Sequence, residues 1–146
     1  MARISGDVLI DASVEEVFDL VADERNEPKY NPRIVSAEKL SEGPVGEGSR
    51  FVAQPKGMST KGRVTLEILD YDRPHRLQNR VRSPYMQVDG RLTFEEADGG
   101  TRLRWDWVMV LVGPMKVMSP VLVVMGPHWE RRNWMGLKRY VESGRH

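Results

Sequence analysis

Hydrophobic and polar positions along the chain follow two different periods, and the switches between them mark the elements. In "DASVEEVFDLVAD" the apolar residues Val14, Val17, Phe18 and Val21 recur at helical spacing, which predicts one buried helical face. Ser13 and Glu16 supply the S-x-x-E capping box that starts this helix. Ahead of it, "RISGDVLI" reads as a strand ending at Asp11. Behind it, "RNEPKYNP" leaves room for one short helical turn, because the residue before Pro32 is biased away from helix. Six strands are then predicted: Ile34 to Leu40, Arg50 to Gln54, Arg63 to Tyr71, Arg76 to Val81, Met86 to Glu96 and Thr101 to Val112. The segments between them ("EGPVGEG", "PKGMS", "DRPH", "RSPY", "ADGG") carry Gly or Pro and are short enough to join antiparallel neighbours, so a meander is expected.

The strictest alternation is in "TRLRWDWVMVL". Leu103, Trp105, Trp107, Met109 and Leu111 fall on one face and Arg102, Arg104 and Asp106 on the other, so one face is buried and the other wet. By the same reading Met86, Val88, Leu92 and Phe94 point inward from the preceding strand, with Gly90 where backbone bends or another group approaches closely. The stretch "WVMVLVGPMKVMSPVLVVMGPHW" is almost free of charge. Pro114, Lys116 and Pro120 interrupt it and its first part alternates as a strand, so it is not expected to span a membrane. Val112 to Ser119 reads as a loop. A last helix begins after Ser119-Pro120 or after Gly126-Pro127, kinked if it crosses Pro127. Its inward stripe is Glu130, Trp134, Leu137 and Val141, flanked by Trp129, Asn133 and Tyr140, with Arg131, Arg132, Lys138 and Arg139 outside.

Composition narrows the function classes. The 146 residues fit one domain over 1–146 with a real core. The net charge of +1 gives no global basic field of the kind that marks nucleic-acid binding. Charge is uneven all the same: from Thr101 onward eight Lys and Arg stand against three Asp and Glu, and before it fourteen against eighteen. Cysteine is absent, which excludes disulfides and thiol chemistry. Acidic Asp7 and Asp11 precede any apolar run of signal length, and a cytoplasmic protein is expected.

The order strand, helix, short helix, six strands, long helix resembles the helix-grip fold of the START-like SRPBCC superfamily. The likeness is carried by "IDASVEEVFDLVADERNEPKYNPRIVSAEKL", with its Asp-Ala, its capped Val-Phe helix and the aromatic-Asn-Pro trio Tyr30, Asn31 and Pro32, and by "GPVGEGSRF" and "GLKRYVESG". It runs over essentially the whole chain and points to the polyketide cyclase/dehydrase-like branch. The resemblance implies an α+β fold, a curved seven-stranded antiparallel sheet wrapped around a long C-terminal helix, with two short helices between strands 1 and 2. It also implies an elongated apolar cavity that binds or transfers lipids, isoprenoids, quinones or polyketides, with catalysis of cyclisation or dehydration in a minority of members.

In that frame the cavity is expected to be lined by Tyr30, Phe51, Leu66, Asn79, Met86, Val88, Trp105, Trp107, Met109, Trp129, Asn133 and Trp134. Its mouth falls at the connections around Met58 and Tyr85 and at Met115, Met118 and Met125. Methionine re-packs readily around varied apolar partners, and the methionines that belong to or border this mouth, Met58, Met86, Met115, Met118 and Met125, also suit plain core filling or a homodimer interface. The polar groups available to orient a ligand are Tyr30, Asn79, Tyr85, Glu130 and Asn133, and Arg80 or Arg82 according to register. A cyclase would need an acid/base pair, for which Glu130 with Tyr85 or Tyr30 is the candidate. His75, His128 and His146 lack metal-ligand spacing, so neither a metal nor a cofactor is expected. No nucleophile elbow or P-loop occurs. Three functions follow: a carrier or sensor of a small hydrophobic molecule, a polyketide cyclase using the same cavity, and an interaction module docking a partner or a membrane surface through the basic helix face. Monomer and homodimer both remain open.

Overall fold

In the computed structural model, which describes residues 2–144, the two periods resolve into one sheet and one long helix. His146 lies outside the described residues. The strands are β1 (Ala2–Ile10), β2 (Ile34–Lys39), β3 (Arg50–Pro55), β4 (Val64–Asp72), β5 (Arg76–Arg82), β6 (Met86–Ala97) and β7 (Gly100–Leu111). Helix α1 (Val14–Ala22) and a 3₁₀ turn (Glu24–Lys29) separate β1 from β2, and α2 (Ser119–Ser143) closes the chain. All neighbouring strands are antiparallel, in the order β1-β7-β6-β5-β4-β3-β2. Register shifts at Ile34/Ser36 and Ile68/Asp70 add the local twist that helps a sheet curl.

Local chemistry explains the boundaries. Ser13 accepts from the Glu16 backbone N–H at 3.1 Å, so the capping box closes on its Ser side. Val14, Val17, Phe18 and Val21 are buried, and Phe18 meets Phe94 and Tyr71 edge to face. The segment read as a loop after β7 is a 3₁₀ turn, Gly113–Met118, that leads directly into α2. Its Gly and Pro are turn residues in composition, but Pro114 and Pro120 each sit at the start of a helical piece, where a missing N–H goes unnoticed. Helix α2 runs through Pro127 as a single element.

The backbone of α2 comes closest to β1. Gly126 permits this approach, and Gly136 permits a second one, to the segment that precedes β2. A β-carbon on Gly126 would lie 2.6 Å from Ile4 Cδ1, and one on Gly136 would lie 2.7 Å from the Tyr30 carbonyl oxygen. Long side chains complete the contact. Arg131 donates to the Asp7 carbonyl at 3.2 Å and Lys138 to the Leu9 carbonyl at 2.6 Å, while the Asp11 N–H donates to Glu142 at 3.0 Å. These groups alternate along the edge of β1 that faces away from β7, so α2 satisfies the open edge of the sheet. Lys138 and Arg131 are therefore committed to β1, where helical periodicity alone placed them on an outer basic face.

Candidate functional site

Cross-strand register builds the inner face of the sheet in rows. Ile4, Trp107, Gly90, Asn79 and Ile68 are successive partners from β1 to β4, and they form one row on the buried side. Gly90 is required there, because a β-carbon would stand 2.0 Å from the Trp107 ring. The indole of Trp107 thus lies across β6 toward Asn79. Trp105, one row over, leans the other way, with its ring 2.5 Å from where a Gly6 β-carbon would be. It stacks on Trp134 of α2 at 5.9 Å.

Glu130 joins the two indole systems. One of its oxygens, Oε1, accepts from Trp107 Nε1 at 2.6 Å and from Trp134 Nε1 at 2.9 Å. Burial pushes its pKa up, opposed by these two donors and by the positive charge of Arg33. Glu27, in the 3₁₀ turn after α1, accepts from the buried Asn31 amide at 2.9 Å. Part of the residue remains accessible, but its carboxyl faces the interior, and burial is the larger influence. Its pKa is pushed up to about 7, the Asn31 hydrogen bond and Arg33 opposing and the charge of Glu130 reinforcing. Tyr30 is buried beside it, its phenol pushed well above the ordinary range by burial and by Glu27. Arg33 donates to the Trp129 carbonyl at 3.1 Å and so ties the start of β2 to α2 beside the two carboxyls.

Three buried polar atoms of this interior have no hydrogen-bond partner among the described residues: Asn79 Oδ1, Asn133 Oδ1 and Trp105 Nε1. Asn133 is one helical turn from Glu130 on the same face of α2. The arrangement is a largely apolar interior with two carboxyls of raised pKa, two amides with spare capacity and one free indole donor. Among the described residues no three His, Asp or Glu side chains come together as metal ligands.

Of the residues proposed from sequence, Phe51, Asn79, Val88, Trp105, Trp107, Trp134 and Tyr30 are buried, and Leu66, Met86, Met109 and Asn133 are partly buried. Trp105, Trp107 and Trp134 meet around Glu130, whereas Trp129 is exposed and engages Arg33 through its carbonyl. Tyr85 is partly buried between β5 and β6, its carbonyl accepting from Val112 N–H at 2.8 Å. The hydrogen bonds of Glu130 go to indoles rather than to Tyr85 or Tyr30. Met58, Met115, Met118 and Met125 are exposed. Arg80 and Arg82 point outward to Asp89. Glu27 and Arg33 escaped the sequence reading. The signal was an amide, Asn31, in need of an acceptor and an acid four positions before it. Two broad hollows, about 640 Å³ beside Tyr30 and the last turns of α2 and about 650 Å³ on the outer face around Arg3 and Asp106, include neither Glu130 nor Asn79. The outer one is walled by ion-paired residues such as Arg3 and Asp106.

This combination, a seven-stranded sheet gripping a C-terminal helix over an apolar interior with a few polar groups, defines a START-like protein. The chain belongs to the polyketide cyclase/dehydrase and lipid transport family, whose sequence profile matches residues 1–142. Among solved structures, a START superfamily protein from Mycobacterium smegmatis matches with a TM-score of 0.81 at 18% identity, over 98% of this chain and 99% of that one. A protein from Thermus thermophilus matches at 0.80 and 18% identity, over 99% of both chains. The di-domain ARO/CYC protein BexL of the BE-7585A biosynthetic pathway matches at 0.75 and 20% identity, over 97% of this chain and 47% of its own. A search of curated proteins finds no match.

Proposed function

We propose that the protein binds a small, mostly apolar molecule bearing one hydroxyl group, held between the inner face of the sheet and α2. The observation that carries this reading is Asn79 Oδ1, buried without a partner among the described residues, in the same row as Gly90 and Trp107. An unpaired buried amide costs about 1–3 kcal/mol, which a dry core has no reason to bear and a ligand hydroxyl would relieve. Asn133 Oδ1 offers a second acceptor from the facing helix.

The test compares a long-chain primary alcohol with the alkane of equal length, read by tryptophan fluorescence and by melting temperature together. The alcohol is expected to change both signals. Asn79→Leu is expected to weaken it by about tenfold, the worth of one hydrogen bond, and to leave alkane binding unchanged. If a panel of alcohols, fatty acids, quinones and aromatic polyketides moves neither signal, the reading fails.

A second reading rests on the two carboxyls. With raised pKa values, Glu27 and Glu130 have the acid and base character that cyclisation of an enolisable polyketide needs, and Tyr30 stands beside Glu27. Under it, Glu130→Gln abolishes turnover of a poly-β-ketone while binding persists. Turnover that is absent in the native protein removes this reading and leaves the first intact.

A further inference from the structure

The first two turns of α2 and the 3₁₀ turn before them are apolar on the outside. Val117, Val124 and Val123 are 79%, 67% and 58% exposed, and Met115, Met118, Val121, Met125 and Trp129 join them. Only Leu122 and Gly126 in these two turns are buried. A contiguous exposed surface of this kind marks an interaction site rather than scattered surface residues.

Charge identifies what meets it. No acidic residue occurs from Trp107 to Trp129, and the single charge there is Lys116, exposed in the middle of the patch. The two hairpin connections at this end of the sheet, 56–63 and 83–85, carry Lys56, Lys61 and Arg63 and again no acid, and the segment that enters β2 here ends in Arg33. The Lys56 N–H donates to the Arg33 carbonyl, and the Arg33 guanidinium bonds the Trp129 carbonyl, so this basic edge adjoins the patch directly. The connections at the opposite end carry Asp11, Glu42, Glu47 and Asp98; of the cations there, Arg73 is paired with Asp19 and Lys39 is bonded to the Ser41 and Gly43 carbonyls. The connections are thus apolar and basic at one end of the sheet and mainly acidic at the other.

We infer that this end docks on an anionic lipid bilayer, with the valines and methionines entering the headgroup region, Trp129 at its boundary, and Lys116 and Lys56 against lipid phosphates. A second copy fits less well, since two-fold contact over the patch sets Lys116 and its neighbours against themselves. The inference concerns the outer surface and stands whether or not the interior binds a ligand.

Co-sedimentation of the full chain with vesicles of equal parts phosphatidylcholine and phosphatidylglycerol tests it. The native protein is expected to pellet with these vesicles, much less with pure phosphatidylcholine, and less as salt rises. Val117→Asp with Val124→Asp is expected to abolish pelleting without lowering the melting temperature, because both residues are exposed. Lys116→Glu with Lys56→Glu is expected to weaken it by tenfold or more, from about fivefold per cation removed. Native protein that stays in the supernatant with anionic vesicles overturns the inference, as does a double aspartate variant that pellets like the native chain. A concentration-dependent dimer that the aspartate variant abolishes, without vesicle binding, also overturns it and assigns the face to a second copy.

Discussion

Glu27 occupies a place that favours its neutral form, and stability follows from that. Its folded pKa of about 7 lies above the ordinary 4.5, so the native state holds a proton that the unfolded chain has released. The associated stability is fully present below about pH 4.5 and is lost as pH rises through about 7. Burial raises the pKa of Glu130 too and adds to the same trend. Glu27→Gln keeps an acceptor for Asn31 and removes the titration. We expect it to match the native protein near pH 5 and to exceed it by ~1–3 kcal/mol near pH 8, as measured by urea unfolding across that range. An unchanged slope would mean that Glu27 ionises freely in the folded protein. Side chains such as this one were beyond periodicity. The surroundings of Glu27 combine Asn31 and Arg33, close in sequence, with Glu130 of α2, which reaches them only when the helix docks. Glu130, by contrast, was legible, because a carboxylate in an apolar helical stripe needs donors and two tryptophans shared its stripe or faced it.

At the level of elements, the match between pattern and structure follows from how local the deciding chemistry is. The alternation in β7 places Leu103, Trp105 and Trp107 inward without help from neighbours, and the cap at Ser13 is complete within four residues. The 3₁₀ turn over Gly113–Met118 was opaque, since its Gly and Pro suit a loop equally well. The basic face of α2 misled for a different reason. Periodicity gives the direction of a β-carbon, but Arg and Lys stems reach far beyond it, and here they bend to the carbonyls of β1. Lys138→Met keeps the stem and loses the donor, leaving the Leu9 carbonyl exposed on a sheet edge. A loss of about 1–2 kcal/mol is expected, read by thermal unfolding, with increased light scattering as open edges pair between molecules. Unchanged stability and scattering would show that water serves that edge as well as the lysine does.

The whole molecule separates its tasks by region: α1 and the β6–β7 side hold the dry core around Phe18 and Phe94, and the row through Asn79 and Trp107 holds the polar interior. The end of the sheet near Lys116 carries the apolar surface. The pairing of β1 with β7 spans about a hundred residues of chain. During synthesis the first strand emerges with its apolar side uncovered and has no partner until β7 leaves the ribosome, and the helix that seals its other edge comes later still. Completion of the sheet is therefore among the last events, and so non-local a contact closes slowly. A nascent chain that ends before Leu111 exposes both an unpaired strand and the inner face of the meander, the combination that recruits chaperones. Truncation from the C-terminus accordingly yields an aggregating chain rather than a smaller working domain.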